Sequence, residues 1–549
     1  MLTYDFRDRE NETLYEYLYR KIRQDILTGQ LCPHERMPSR RAFARNLGVS
    51  VVTVETAYSQ LAAEGYLEPR PRSGYYVEQI GRSMILPAAR EPGHKRTTDY
   101  MDTTKESIDR KGSIFIHSNP QQPEKLLDSS GSQQPEKQHD SSGLQQSECR
   151  SAVIDLSQSG IPSDMFPFPI WSKLMREVLG TRREQLLTRS PGNGIAELRS
   201  AIAHFLLQYQ NLRVSPEQIV IGAGTEYLYS LLIRLLGHDK VYAMETPGYC
   251  KTERIYRSSS VEVRDIPMDR NGMDIKLLRQ SGADVVHISP SHQFPTGITM
   301  PVTRRGELLS WCMEGNEKHR RYIIEDDYDS EFRLAGRPIP SLMSIDRSGS
   351  VIYLNTFTKS VSPAIRISYM VLPEGLLQEY RVKLGFYSCT VANFEQYILA
   401  EFIRRGHFEK HINRMRNYYR QKRDRLLDAL RKSRLRNCLS VRGADAGLHF
   451  LIIVSALCSE EELTQRAMEK GIRIYGLTRY EALPEQKREE IKEEEKEAHR
   501  PGNGRDKNDK EESRPCMVVN YPGLTDEQID ILPGLLLEAW AGLPGLPCL

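Results

Sequence analysis

Two short segments hold side chains whose types and spacing suit joint chemistry. In VIYLNTFTKSVSPAIRISY (351–369) an apolar, β-branched run reaches a turn with Thr356 and Thr358, then Lys359, then Arg366 seven residues on. A single lysine is ordinarily a solvated surface charge. One at a strand end, flanked by hydroxyls, is placed to condense with an aldehyde. In RYIIEDDYDSEF (321–332) an apolar run breaks abruptly into Glu325, Asp326, Asp327 and Tyr328. Carboxylates at the C-terminal end of a strand lie where open α/β sheets bind ligands. The plainer reading of that run is a solvated acidic loop.

Upstream, QIVIGAGTEYLYSLLIRLL (218–236) reads as strand, glycine-rich turn and apolar helix. The start of that helix offers backbone N–H groups and the Thr225 hydroxyl to an anion. ETPGYC (245–250) then puts Tyr249 where an aromatic face can meet a ring. A lysine for an aldehyde, an acid for a ring nitrogen, donors for a phosphate and an aromatic face are together what pyridoxal 5′-phosphate (PLP) requires.

These groups need a scaffold, and 549 residues exceed what one hydrophobic core usually supports. Residues 81–151 are rich in Ser, Gln, Pro, Glu and Lys, with QQPEK at 121 and 133 and DSSG at 128 and 140. Such a stretch buries too little apolar surface to offset the entropy of ordering it, so a flexible linker is expected. A charged insert at about 485–514 (EQKREEIKEEEKEAHRPGNGRDKNDKEESR) is expected to be partly helical and partly disordered. The expected domains are therefore 1–80 and 152–549. No apolar run is long enough to span a membrane, and the mixed-charge N-terminus reads against a secretory signal. Nine cysteines without CxxC or Cys/His spacing argue for a reduced, cytoplasmic protein without a metal site.

The first 80 residues carry their own pattern. Leu14, Leu18, Ile22 and Ile26 predict an amphipathic helix over 12–28. Ser39 can cap a helix RRAFARNL that stops at Gly48, and Ser50 can cap another from Val51 to Glu64. On the latter Val54, Ala57 and Leu61 are expected inside, with Val52, Thr53, Thr56 and Gln60 outside. GYLEPRPRSGYYV then offers two strands around a turn. Two short helices joined by a glycine turn are the helix-turn-helix arrangement, and the turn after them is a wing. From Arg20 to Val77 nine Lys/Arg face five Asp/Glu. Arg40 and Arg41 start a helix, where charge and free N–H groups can both meet a DNA phosphate; Arg70 and Arg72 flank the wing turn.

Residues 12–77 resemble the GntR-type winged helix. Arg41 after PS, LGVS at 47–50, Thr53, EGYL and the wing Gly74 carry the match, and Ser50 belongs to it. One departure is Val51, where the family usually has an Arg. The later segment resembles fold-type-I aminotransferases. SPSHQFPTG, EDDYDSEFR and TFTKSVSPAIR bring the whole chain closest to the MocR-type subfamily of GntR regulators, which fuses both parts. The resemblance implies an α+β winged helix-turn-helix followed by an α/β PLP-binding domain with a mostly parallel sheet and a small C-terminal subdomain. It implies Lys359 as the lysine that bonds PLP and Asp326 at the pyridine nitrogen. Tyr328 falls at the phenolic oxygen, Tyr249 against the ring, and Thr225, Thr356, Thr358 and Arg366 around the phosphate.

Phe294 stands where ordinary aminotransferases have the Asn of NPTG, and CMVVNYPGL lacks the arginine that clamps a substrate carboxylate. Arg473 and Arg514 are possible substitutes. The resemblance implies a homodimeric bacterial transcription regulator that binds operator DNA and senses PLP, an amine or an amino acid. Rival readings are a working aminotransferase with an appended DNA-binding domain and, more weakly, an empty dimerisation scaffold.

Overall fold

The computed structural model describes residues 4, 6, 12–70, 73–78, 154–158, 160–315, 319–334, 340–481 and 514–546. The expected linker, nearly all of the charged insert and Arg72 lie outside them.

The N-terminal part, here the head, consists of α1 (Leu14–Leu27), α2 (Arg40–Leu47), α3 (Val51–Ala63), β1 (Leu67–Arg70) and β2 (Gly74–Val77). Ser39 and Ser50 accept hydrogen bonds from Ala42 N–H and Thr53 N–H, and α2 ends on Gly48 in the left-handed region, φ 65°. Each cap satisfies an amide that the first helical turn leaves unpaired. β1 and β2 pair antiparallel. Leu18, Ile22, Val54, Ala57, Tyr58 and Leu61 meet in one core. Gln60 departs from expectation. It is only 4% exposed, and its amide donates to the buried carboxylate of Glu64. Helical period groups it with Val52, Thr53 and Thr56, which stay partly or fully exposed, but at its end of α3 Gln60 is covered.

The rest, here the body, is built on an eight-stranded sheet in the order β4 (Ile219–Gly222), β11 (Ser368–Val371), β10 (Val351–Thr356), β9 (Tyr322–Asp326), β8 (Val285–Ile288), β5 (Val241–Thr246), β6 (Glu262–Asp269) and β7 (Gly272–Met273). From β10 to β6 the strands run parallel, and β11 is antiparallel to both neighbours. β4, β8, β10 and β11 are buried along their whole lengths, as strands covered on both faces must be, hence their continuous apolar runs. A smaller sheet takes β12 (Leu439–Arg442), β13 (His449–Val454), β16 (Cys516–Asn520) and β15 (Tyr475–Gly476) in that order. β14 (Ile472–Arg473) pairs with β3 (Ile154–Asp155), tying the C-terminal subdomain to the start of the body. This is a mostly parallel α/β sheet with a small C-terminal subdomain, as expected. Among the described residues, no helix is long and apolar enough to cross a membrane, and no group of His, Cys, Asp and Glu is placed to hold a metal.

Candidate functional site

Parallel strands deliver their C-terminal ends to one edge of the sheet, and most of the expected body residues lie along it. Asp326 ends β9; Thr356 ends β10, β9's direct neighbour, and Thr358 and Lys359 follow it; Thr225 opens the helix after β4. Arg366 precedes β11 by two residues, and a Cβ added to Gly224 would stand 2.5 Å from its Nη2. Gly224 also has φ 89°, so only glycine lets the arginine lie across this turn.

Asp326 is held from one side only. Its Oδ2 accepts a hydrogen bond from Tyr229 O–H at 2.6 Å and lies 3.4 Å from His287 Nε2. Its Oδ1 is buried with no hydrogen-bond partner among the described residues. An unpaired carboxylate oxygen at a strand end costs free energy unless a ligand supplies a donor, and a protonated ring nitrogen is such a donor. Nearby, burial pulls the Lys359 amine below the usual lysine range while the Asp329 carboxylate draws it back. A lysine with a lowered pKa is the form that can attack a carbonyl.

Tyr328 lies beside His292, 3.3 Å from its Nδ1, and that nitrogen is 2.9 Å from Asp329 Oδ2. The His449 ring lies next to His292, tilted by 42° with ring centroids 4.5 Å apart. Phe294 sits edge-on to Tyr249 at 5.7 Å and to Tyr480 at 5.2 Å. The aromatic that replaces the Asn of NPTG thus packs against the ring expected to face the cofactor. Tyr249 itself is 53% exposed.

At the phosphate end, Thr358 and Lys359 are partly buried. Thr356 is turned inward: its Oγ1 accepts from Thr358 N–H at 3.1 Å and from Ser368 O–H at 2.7 Å. Glu226 reaches Arg366 at 3.5 Å and also pairs with Lys251. Lys251 first, and Arg366 more weakly, hold its carboxyl below the usual range. The residues present therefore fit PLP: an orphaned acceptor for its ring nitrogen, an amine for its aldehyde, and a glycine turn under an arginine for its phosphate.

The arginines raised as possible carboxylate clamps each have a partner in the structure. Arg473 pairs with Asp155 at 3.0 Å, and Arg514 lies 3.5 Å from Ser455 Oγ. β16 is buried throughout, its central residues Met517, Val518 and Val519. Sequence reasoning missed Tyr229, His287, Asp329 and His449. Tyr229 was detectable, since it lies one helical turn after Thr225 on the same face.

In the head, Arg40 and Arg41 stand exposed at the start of α2, with Arg40 paired to Glu55 of α3. Ser50 and Thr53 hydroxyls are 2.8 Å apart at the start of α3, and Val52 is 69% exposed beside them. Arg70 pairs with Glu68 and lies over the Tyr76 ring at 4.4 Å; Gly74 opens β2 with φ 110°.

Comparison with known proteins supports both halves. The aminotransferase class I and II family matches residues 152–491, and the gntR family of bacterial regulatory proteins matches residues 14–77. The HTH-type transcriptional regulator YdeL of Bacillus subtilis is 34% identical over 85% of this chain and 89% of its own. The probable rhizopine catabolism regulatory protein MocR of Rhizobium meliloti is 29% identical over 86% of this chain and 88% of its own. Among solved structures, an archaeal alanine:glyoxylate aminotransferase superposes with a TM-score of 0.57 at 25% identity, covering 70% of this chain and 89% of its own. This family and fold imply PLP as the cofactor of the body. A winged helix for DNA and an aminotransferase-like body, matched together over most of the chain, place it in one family: the chain belongs to the MocR-type subfamily of GntR transcription regulators.

Proposed function

We propose that the body binds PLP through Lys359, Asp326, Tyr328 and Arg366, and that PLP, alone or combined with an amine or amino acid, sets the affinity of the head for operator DNA. The observation that carries this is the Oδ1 of Asp326, buried without a partner among the described residues at the end of β9, next to the strand that leads into Lys359. When bound, PLP supplies an aldehyde for an amine and an electron-withdrawing ring. The chain's residues do the rest. Asp326 receives the ring N–H while Tyr229 fixes its other oxygen. Tyr328, held near His292 and Asp329, offers a hydroxyl to the ring's phenolic oxygen. Thr225, Thr358, Arg366 and the Gly224 turn receive the phosphate, with Thr356 positioning Thr358 from behind, and Tyr249 covers the ring. In the head, Arg40, Arg41, Ser50, Thr53, Arg70 and the wing at Gly74 face the DNA, and Arg72, outside the described residues, belongs to the same expected set.

A homodimer in the bacterial cytoplasm, associated with the nucleoid when bound to DNA, fits this reading. Apolar side chains flank the open phosphate end. Leu187 is 82% and Phe386 72% exposed, and the segment bearing Phe386 continues to Thr390, whose hydroxyl accepts from Ala223 N–H at 2.9 Å. A second copy covering that patch would close the site and give two heads for paired half-sites.

The test is direct. Purified protein with PLP should show a visible absorption band that Lys359→Ala removes, and PLP should change its affinity for a duplex selected from random DNA. A colourless protein whose DNA affinity ignores PLP would refute the proposal. Transamination should be absent or slow, because β16 presents apolar residues where a carboxylate clamp belongs. Rapid single-turnover conversion of bound PLP to the pyridoxamine form by any amino acid, abolished by Lys359→Ala, would establish the enzyme reading instead.

A further inference from the structure

The head touches the body at a small contact, and both of its sides lead to functional surfaces. Val302 N–H donates to the Glu64 carbonyl at 3.1 Å, just past the end of α3. The Val302 side chain is 3% exposed and belongs to the head's own apolar core, which Ile345 also joins. Gly65 has φ 76°, and a Cβ there would stand 2.9 Å from Pro301 Cβ. Glu64, also 3% exposed, accepts from Tyr19 O–H at 2.7 Å and from Gln60. Burial pushes its carboxyl up, while Arg23 of the head and Arg333 of the body hold it down. Arg305 of the body also feels Glu64 and Tyr66.

On the body side, Pro301 and Val302 close the segment that carries His292, Gln293 and Phe294. Arg333 follows Asp329 by four residues, and His292, Asp329 and Arg333 line one small cavity with Ala446 and Gly447. Either segment therefore connects the proposed cofactor site to the contact at Glu64. On the head side, the thirteen residues of α3 separate this contact from Ser50, the cap at its far end. At 1.5 Å per residue that is about 20 Å, so docking leaves the DNA-facing end uncovered.

We propose that this contact is the latch between cofactor site and DNA: Glu64 and Gly65 dock on Pro301, Val302 and Arg333, and occupancy of the site changes the docked fraction of heads. The proposal rests on the effector-linked regulation inferred above. A contact this small opens at little cost, which suits a switch, since interdomain contacts hold rigidly only when large and apolar. The latch sets the orientation of the head without masking it, and a ligand governs it only through differential affinity for the docked and undocked arrangements.

Val302→Asp places a carboxylate in the apolar contact beside Glu64, and Glu64→Gln removes the charge that Arg333 meets. Neither touches the cofactor or DNA residues named above. With full-length protein, the visible PLP band should be unchanged in both variants. Hydrogen exchange over residues 61–68 should be faster in Val302→Asp than in wild type. PLP should change wild-type affinity for the selected duplex by at least about fivefold, the lower range of allosteric couplings. The change should fall below about twofold in Val302→Asp and shrink in Glu64→Gln, which carries the test if the first variant loses its band. Variants that respond to PLP as the wild type does, or unaltered exchange in Val302→Asp, would overturn the latch alone. A wild type whose DNA affinity ignores PLP and PLP-amine mixtures would overturn the regulatory reading together with it.

Discussion

The two ends of the proposed cofactor site are built differently. At the ring end, Asp326 is enclosed, fixed by Tyr229 at 2.6 Å and near His287, with one oxygen waiting for a donor. At the phosphate end, Arg366 is 49% exposed and its partner Glu226 43% exposed, and Lys251 competes for the same carboxylate. The first end is preorganised, so a ligand there gains a hydrogen bond without rearranging the protein. The second must exchange an ion pair for a phosphate, in water and under salt screening. The head repeats the second design, with Arg40 exposed and paired to Glu55. In the proposed sites, buried polar groups stand where the ring is assigned, and solvated arginines stand where phosphates are assigned.

The largest expected effect tests the ring end. Asp326→Ala should lower PLP affinity at least a hundredfold, about 3 kcal/mol, in the range found when one partner of a buried charged pair is removed. Equilibrium titration of the visible band measures it, and a loss under fivefold would put the ring elsewhere. Arg366→Ala should cost only about tenfold, and the loss should shrink as salt rises, as for solvated charges. Pyridoxal, which lacks the phosphate, should bind the variant and the wild type alike. An Arg366→Ala effect as large as that of Asp326→Ala would erase the contrast between the two ends.

Arg41→Ala should weaken binding on every duplex and lower the salt slope by about one. Sequence-selective loss would instead make Arg41 a base reader. Much of this was legible in sequence because it rests on local rules. Ser39 and Ser50 as caps, Gly48 as a stop, and the apolar runs ending in Asp326 and at Thr356 need only the neighbouring residues. What was not legible depends on approach across the chain. Gln60 follows the helical period of a polar face, yet it is buried with Glu64 at the point where the body meets the head. His292 and Asp329 lie 37 positions apart, and only the pairing of β8 with β9 brings their loops together. Local pattern carries no information about either.

The smallest effect concerns the carboxyls behind the ring end. Burial, with Asp327 adding like charge, pushes Glu331 up to about 8 and Glu325 up to about 7. One oxygen of Glu331 is buried without a partner, while the other accepts from Asn355 at 3.2 Å. An unfolded glutamate ionises near 4.5, so between that pH and about 8 the folded chain holds a proton that the unfolded chain has released. The folded state binds more protons, so stability must fall as pH rises across this window; its contribution is complete below about 4.5 and is lost as pH passes 8. Glu331→Gln keeps an acceptor for Asn355 and removes the ionisation. Wild-type Tm should decline from pH 5 to pH 8, and Glu331→Gln should decline less and melt higher than wild type at pH 8, by a few degrees. Parallel melting curves at both pH values would mean that Glu331 is ionised in the fold and that the acids behind Asp326 do not share the low-dielectric character assigned to the ring end.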